Sequence, residues 1–202
     1  MPSNNRHAEI WLIRHGETEW SMSGAHTGRT DIPLTAAGER HAEAIGRSLG
    51  GRQFALVLTS PLQRARETCR LAGYGDVAQI DADLKEWDYG AYEGRTSTEI
   101  QARAPGWTIW TGAVPGGETI EQVAERARRV IARAAAAGGD TACFAHGHLL
   151  RVLTACWLGA APDAGRYFAL STASLSILGY EHETRVISQW NLPAQALARA
   201  AS

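Results

Sequence analysis

Cysteine is scarce in this 202-residue chain: there are three, Cys69, Cys143 and Cys156, an odd number with no C-x-x-C pair. That excludes a disulfide scaffold and a cysteine zinc site, and it fits a reducing cytoplasm. No apolar run approaches the ~20 residues needed to span a bilayer. The opening residues show no charged-then-apolar leader with a small-residue cleavage site, so export is not expected and the expected location is cytoplasmic. Excess charge is missing too: 21 acidic side chains face 20 basic ones, all Arg but Lys85, for a formal net charge of −1. That balance argues against a general electrostatic grip on nucleic acid or on an anionic membrane. Internal repeats, charge blocks and long linkers are absent as well. What remains, 45% hydrophobic and 20% charged residues, is an ordinary globular composition with enough chain to bury a full core. We expect one domain over residues 1–202, its core about 8–192, with an Ala-rich tail from Pro193 that frays.

Periodicity predicts short apolar strands alternating with amphipathic helices, the pattern of a mostly parallel central sheet flanked by helices on both faces, a three-layer α/β sandwich. The first strand is placed at Glu9 to Ile13. A helix follows from about Thr35, with Ala42, Ile45 and Leu49 on one face, and stops at Gly50-Gly51. Ala55 to Thr59 is nearly continuous apolar sequence, as expected of a strand covered on both sides. Ser60-Pro61 then opens a helix with Leu62, Ala65, Cys69 and Ala72 inward and Gly73 at its end. A short strand near Val77 to Ile80 leads into an aromatic loop. Thr119 and Gln122 form a capping box for a long helix carrying Val123, Ala127, Val130 and Ala134. Thr141 to Ala145 reads as another buried strand, followed by a helix from about Leu149 to Leu158. Residues 174 to 190 read as two last strands joined around Glu183.

The functional signal is positional. Arg14-His15-Gly16-Glu17-Thr18 follows the first strand, Ser60 and Arg64 follow the second, and His146-Gly147-His148 follows Thr141 to Ala145. If these strands are parallel, all three segments meet at the carboxyl edge of one sheet, where open α/β folds bind ligands. Two arginines, two or three histidines and helix-start amides in one crevice suit a dianionic phosphoryl group. Arg serves this better than Lys, because its planar fork bonds two phosphate oxygens at once. Each residue also has a plainer reading. A strand-end His is commonly a structural hydrogen bonder, a helix Arg a solvated charge, and Gly16 a simple turn. His146 and His148 could be half of a metal site, but no further ligand-rich motif accompanies them, and no metal is expected. Only the joint pattern outweighs these alternatives.

That pattern resembles the histidine phosphatase superfamily, which includes the cofactor-dependent phosphoglycerate mutases. The segments that carry the resemblance are Leu12 to Thr18, Thr27 to Thr35, Thr59 to Ala65, Leu84 to Gly90 with Tyr92-Glu93-Gly94, and Ala145 to His148, in the family's order. Glu19-Trp20-Ser21, Glu86-Trp87-Asp88-Tyr89-Gly90 and the second histidine of His146-Gly147-His148 are most similar to small bacterial acid-phosphatase-type members and the sugar-bisphosphatase branch. The resemblance implies a phosphoglycerate mutase-like fold and a two-step transfer through a phosphohistidine on His15. Arg14, Arg64 and His146 would hold the equatorial oxygens, with His146 acting best as a protonated donor. Glu86 matches the proton donor to the leaving oxygen, and the aromatic neighbours Trp87, Tyr89 and Tyr92 are surroundings that favour its neutral form. An acidic to neutral activity optimum follows.

Ser21, Thr27, Gly28 and His148 match substrate-contacting positions. Ser21 departs from the Asn of most relatives, and His148 takes a place often held by Asn in mutases. Trp107 and Trp110 read as core cover, and His7, His26, His41 and His182 carry no functional signal. No cofactor is implied, and the implied partner is a small phosphorylated metabolite, handled by a monomer or homodimer. Three activities compete: a phosphomonoesterase, a phosphoglycerate mutase-type transferase, and an idle phosphate-binding module. Mutases of the family carry a longer insertion between the Glu and the second His, with an Arg pair for the substrate carboxylate. Here that segment is short, and Arg128-Arg129 reads as a solvated helix face. The hydrolase is the favoured expectation. Specificity is expected from residues 21–30 and 95–117, and Arg29, Arg95 and Arg103 are expected to be solvated.

Overall fold

The computed structural model describes residues 7–193; the Ala-rich stretch beyond Pro193 lies outside them. One six-stranded sheet is built from β1 (Ile10–Arg14), β2 (Leu56–Thr59), β3 (Gln79–Ile80), β4 (Thr141–Ala145), β5 (Ser174–Glu181) and β6 (Thr184–Pro193). Their order is β3-β2-β4-β1-β5-β6. The first four neighbours run parallel, and the β5–β6 hairpin adds antiparallel to β1. Alternating side chains feed two separate cores. Leu12, Leu58, Cys143 and Ala145 pack with the helices α5 (Ile120–Ala135) and α6 (Gly147–Trp157). Ile13, Val57, Ala142 and Phe144 face α2 (Ala36–Leu49) and α3 (Gln63–Leu71). This is the expected three-layer arrangement, with strands buried on both sides.

Register is what matters for the site. Arg14 pairs with Ala145 and Thr59 with Phe144, so the carboxyl ends of β1, β4 and β2 are nearly level. The ladder carries one step further, through His15 N–H to Ala145 O (3.0 Å) and Ser60 N–H to Phe144 O (2.9 Å). His15, Ser60 and His146 therefore leave the sheet side by side.

Several boundaries differ from expectation for physical reasons. Helix α3 starts at Gln63, not at Ser60-Pro61. The Ser60 hydroxyl accepts the Leu62 amide at 3.3 Å, but the Gln63 amide is capped by the Asp31 carboxylate at 2.7 Å, a partner far away in sequence. Helix α6 begins at Gly147 rather than Leu149, with His146 at its N-cap. The expected third strand shrinks to two residues on the sheet edge. Two short helices went unforeseen, α1 (Glu19–Ser23) and α4 (Ser97–Gln101), each closed by a reciprocal capping box, Thr18 with Ser21 and Thr96 with Glu99.

Gly16 is not a turn residue; it permits a close approach. A Cβ at Gly16 would lie 2.5 Å from the Gly38 carbonyl oxygen, and one at Gly38 would collide with the Glu17 backbone. The first turn of α2 thus presses on the loop that carries His15. Gly38→Ala should cost about 1–3 kcal/mol through overpacking, read as a lower urea midpoint at unchanged slope. An unchanged midpoint would show that the contact is slack.

Candidate active site

His15 lies at the end of β1 and is almost fully buried, 5% exposed. Its Nδ1–H donates to the Gly16 carbonyl at 2.7 Å. A carbonyl can only accept, so the neutral ring keeps its proton on Nδ1 and its lone pair on Nε2. Burial, then the Arg14 and Arg64 guanidinium groups, hold this imidazole well below its usual range. Desolvation is the larger cause, and the two guanidinium groups add to it.

His146 stands beside it, ring centroids 5.1 Å apart. Its Nε2 is 2.8 Å from the Ser60 hydroxyl. That hydroxyl already accepts the Leu62 amide, so its own proton is free to point at Nε2. This assigns the proton of neutral His146 to Nδ1, a buried nitrogen with no partner among the described residues. Burial, then Arg64, His15 and Arg14, push its pKa well down, so the structure favours the neutral ring over the expected protonated donor. In both imidazoles burial is the larger cause and the flanking cations add to it.

Arg64 is buried and Arg14 half-buried, and neither has a carboxylate partner in hydrogen-bond contact among the described residues. Arg14 donates to the Leu170 carbonyl. Arg64, fully buried, donates to the carbonyls of Thr30, Thr27 and Gly28, each at 3.0 Å. Both Nε atoms lack a protein partner. The plainer alternative for Arg64, a solvated helix charge, does not hold.

Glu86 reaches the site from the aromatic loop and ties it to α6. Its Oε1 accepts the amides of Trp87 and Leu149, both at 2.9 Å, and its Oε2 accepts the amide of His148 at 3.0 Å. The expected aromatic surroundings are therefore only the outer layer; the atoms that touch the carboxyl group are backbone N–H donors at a helix start. No surface Arg pairs with it among the described residues.

The four expected substrate-contacting residues divide. His148 lines the cavity and takes a 2.6 Å hydrogen bond at Nδ1 from the Tyr89 hydroxyl. Thr27 lines it too, although its hydroxyl donates to the Ala25 carbonyl at 3.1 Å. Ser21 is at the wall, but its hydroxyl accepts from Thr18 N–H and donates to Thr18 O, closing the α1 cap. The Gly28 amide is committed to Glu93 Oε1 at 2.8 Å, and a Cβ there would strike the Trp87 carbonyl. Gly28 thus seats the loop against the aromatic segment instead of offering its amide to a substrate.

A buried imidazole beside two arginines, a second imidazole and a helix-bound carboxyl group is the constellation of a known family, and the match runs over residues 10–193: histidine phosphatase superfamily, branch 1. The chain belongs to that superfamily. It is 38% identical over 187 residues to an acid phosphatase of Mycobacterium tuberculosis, a match covering 91% of this chain and 92% of that one. A probable phosphoglycerate mutase of Klebsiella pneumoniae is 30% identical over 192 residues, covering 90% and 89%. The solved structure of an open reading frame product from M. tuberculosis superposes with a TM-score of 0.89 at 38% identity, over 94% of this chain and 100% of that one.

As in any histidine phosphatase, the walls around the core decide what enters. Here they enclose about 390 Å³ and come from segments 21–27 and 97–110, with His148, Arg151 and Leu170. Four wall residues were not read as such from the sequence. Arg151 stacks over Trp110 at 4.5 Å and donates to the carbonyls of Gly165 and Arg166. His26 packs on Tyr89 and Trp107. Trp107 and Trp110 do belong to the core, yet their edges also face the cavity. Arg151 follows His146 by five positions on a helix start, which was a usable signal; His26 offered none. A larger cleft, about 560 Å³, lies over α3 and β3; no histidine is among its lining residues, and its Arg70 pairs with Glu67.

His15, His146 and His148 all titrate below their usual range, with burial the largest cause in each. The unfolded chain therefore binds protons that the folded one refuses. Their contribution to stability is complete above pH about 6.5 and is lost as pH falls through that value toward the folded pKa. The urea midpoint should drop between pH ~7 and ~5, and His148→Gln should make the drop shallower. A flat profile in the unsubstituted protein would contradict three neutral imidazoles.

Proposed function

We propose that this histidine phosphatase is a phosphomonoesterase that hydrolyses a small phosphorylated metabolite through a phosphohistidine on His15. The observation that carries the reading is the 2.7 Å bond from His15 Nδ1 to the Gly16 carbonyl, which leaves Nε2 as the free nucleophile. In the first step the Nε2 lone pair attacks phosphorus, the bond to the ester oxygen breaks, and that oxygen takes a proton from Glu86. In the second step water attacks the phosphohistidine, its proton passes to Glu86, and the P–N bond breaks to release inorganic phosphate.

Arg14 Nε, Arg64 Nε and His146 Nδ1 are buried donors without protein acceptors. Leaving a buried donor unmatched costs about 1–3 kcal/mol, and three phosphoryl oxygens would satisfy all three. A neutral His146 donates from Nδ1 without needing a charge, and an incoming dianion favours its protonation further. Thr27 and His148 are the wall residues assigned to the leaving group. Ser21 and Gly28 are assigned to holding the wall itself. No metal or organic cofactor takes part in these steps. The chain acts as a single domain, monomeric or dimeric, in the cytoplasm, a placement its three unpaired thiols support.

The mutase reading is weaker on geometry. Arg129 of the Arg128-Arg129 pair is spent on Asp83, with bonds of 2.7 and 2.8 Å, and neither arginine lines the cavity. An idle module would lack a member of the constellation, and none is lacking.

Purified protein incubated with p-nitrophenyl phosphate, 3-phosphoglycerate and a panel of sugar phosphates should release phosphate, with or without chelator. Brief exposure to labelled substrate should trap an acid-labile, alkali-stable adduct. His15→Ala should abolish it and lower kcat/KM by on the order of 10³-fold or more. Isomerised product without phosphate release would establish the mutase instead, and silence across the panel would leave the binding module.

A further inference from the structure

Glu86 sits on a stretch of irregular backbone between two short 3-10 turns, Ala82–Leu84 and Gly90–Tyr92, with no α-helix or strand of its own. Two side chains outside the catalytic constellation grip that stretch on both sides of it. Arg126, on α5, donates through Nη1 to the Asp83 carbonyl at 2.7 Å and to the Lys85 carbonyl at 2.9 Å. Its Nε and Nη2 bond the two carboxylate oxygens of Glu118, both at 2.8 Å. Glu118 in turn accepts the Asp88 amide at Oε2 (3.0 Å), and its main chain accepts Trp87 Nε1 at 2.8 Å and donates to the Asp88 carbonyl at 3.0 Å. The pair is shielded, with Arg126 12% and Glu118 19% exposed. Every bond it makes to the loop falls within three residues of Glu86, and Lys85 and Trp87 are its direct neighbours.

Other ion pairs on the same helix lack this placement. Arg129 holds Asp83 and Arg133 holds Asp81, both through side-chain carboxylates upstream, with the arginines 56% and 43% exposed.

We propose that Arg126 and Glu118 are positioning residues for proton delivery: a bidentate clamp that sets where the Glu86 carboxyl group meets the leaving oxygen. The proposal rests on the acid role given to Glu86 above. An ammonium group with three N–H donors cannot match these four bonds, so Lys would keep the charge and lose the fork. A misplacement of about 1 Å is enough to cost on the order of 10²-fold in a positioned step. Proton donation matters most for a poor leaving group and little for a good one. A clamp that serves the acid therefore has a signature that a merely structural ion pair lacks.

The test is the dependence of kcat/KM on leaving-group acidity, measured over substituted phenyl phosphates and one alkyl phosphate for the intact protein and its variants. kcat/KM reports the transfer to His15 alone, free of the later hydrolysis. Glu86→Gln should steepen the dependence, sparing p-nitrophenyl phosphate most. Arg126→Met should steepen it in the same direction, losing on the order of 10-fold to 100-fold on the alkyl ester and only a few-fold on p-nitrophenyl phosphate. Glu118→Gln, which preserves shape, should do the same to a smaller extent and stands in if Arg126→Met does not fold. Arg126→Lys should recover only part of the loss, and Arg129→Met should keep the original slope. Equal losses on every ester in the Arg126 and Glu118 variants, or no loss, would overturn the clamp while leaving Glu86 as the acid. An unchanged slope in Glu86→Gln would overturn both together.

Discussion

One backbone acceptor governs the chemistry of this site. The Gly16 carbonyl takes the His15 Nδ1 proton, and that bond leaves Nε2 as the ring nitrogen with a free lone pair. The carbonyl is aimed by contacts that leave little slack. Gly16 N–H donates to Thr68 Oγ1 at 3.0 Å, and the Thr68 hydroxyl donates to the Arg64 carbonyl at 2.7 Å. On the other side the absence of a side chain at Gly16 and at Gly38 lets the start of α2 press against the loop. The tautomer of one imidazole thus depends on the seating of two helices, α2 and α3, and on the level ends of β1, β2 and β4. Nucleophile geometry and core packing on this face of the sheet are the same problem.

Positive charge is arranged here against stability. Arg64 is buried and Arg14 half-buried, yet among the described residues their hydrogen bonds go to main-chain carbonyls and not to carboxylates. A carbonyl satisfies an N–H without cancelling the charge, so the field of both guanidinium groups remains in the site. Both imidazoles are held below their usual range, by burial first and by these guanidinium groups next. Glu86 is the nearby acid that acts on both arginines, and it is itself anchored by amides at the start of α6. Desolvated charge without a close counter-ion is expensive in a folded protein; a dianionic phosphoryl group supplies the missing partner, and such a site favours that ligand over neutral ones.

How much of this the chain spells out follows from range. Arg14, His15 and His146 sit directly after apolar strands, and the parallel register that unites them follows from burial on both faces, so their convergence was readable. Arg64 was readable as a member but not as a buried one, because its partners, Thr27 to Thr30, come from a loop over thirty residues earlier. Ser21 matched a position in the family's order, but its hydroxyl is consumed by a cap with Thr18 three residues away; Thr96 with Glu99 shows the same local signature, so both short helices could have been found. The Asp31 cap on α3, the Glu93 bond to Gly28 and the cavity face of His26 depend on loop paths that no periodicity encodes. Charge states were the least legible: composition placed cations near both histidines, and only the structure shows that burial outweighs every other cause.

The start of α6 is where these strands of reasoning meet. Four consecutive residues there serve four purposes: His146 caps the helix position and faces His15, the Gly147 site leaves room for the Arg14 guanidinium, and the amides of His148 and Leu149 bind Glu86. A Cβ at Gly147 would sit 3.1 Å from the Arg14 guanidinium carbon, so even the glycine is set by an active-site side chain. The helix dipole adds a partial positive charge at the point where the carboxyl group of Glu86 and a substrate's phosphoryl group would both approach. Nucleophile neighbour, acid and anion site are therefore not independent parts that can be varied singly. A substitution that shifts this one helical turn moves all of them, and losses measured at His146, Glu86 and Arg14 will fall short of additivity because each removal already disturbs the seat the others share.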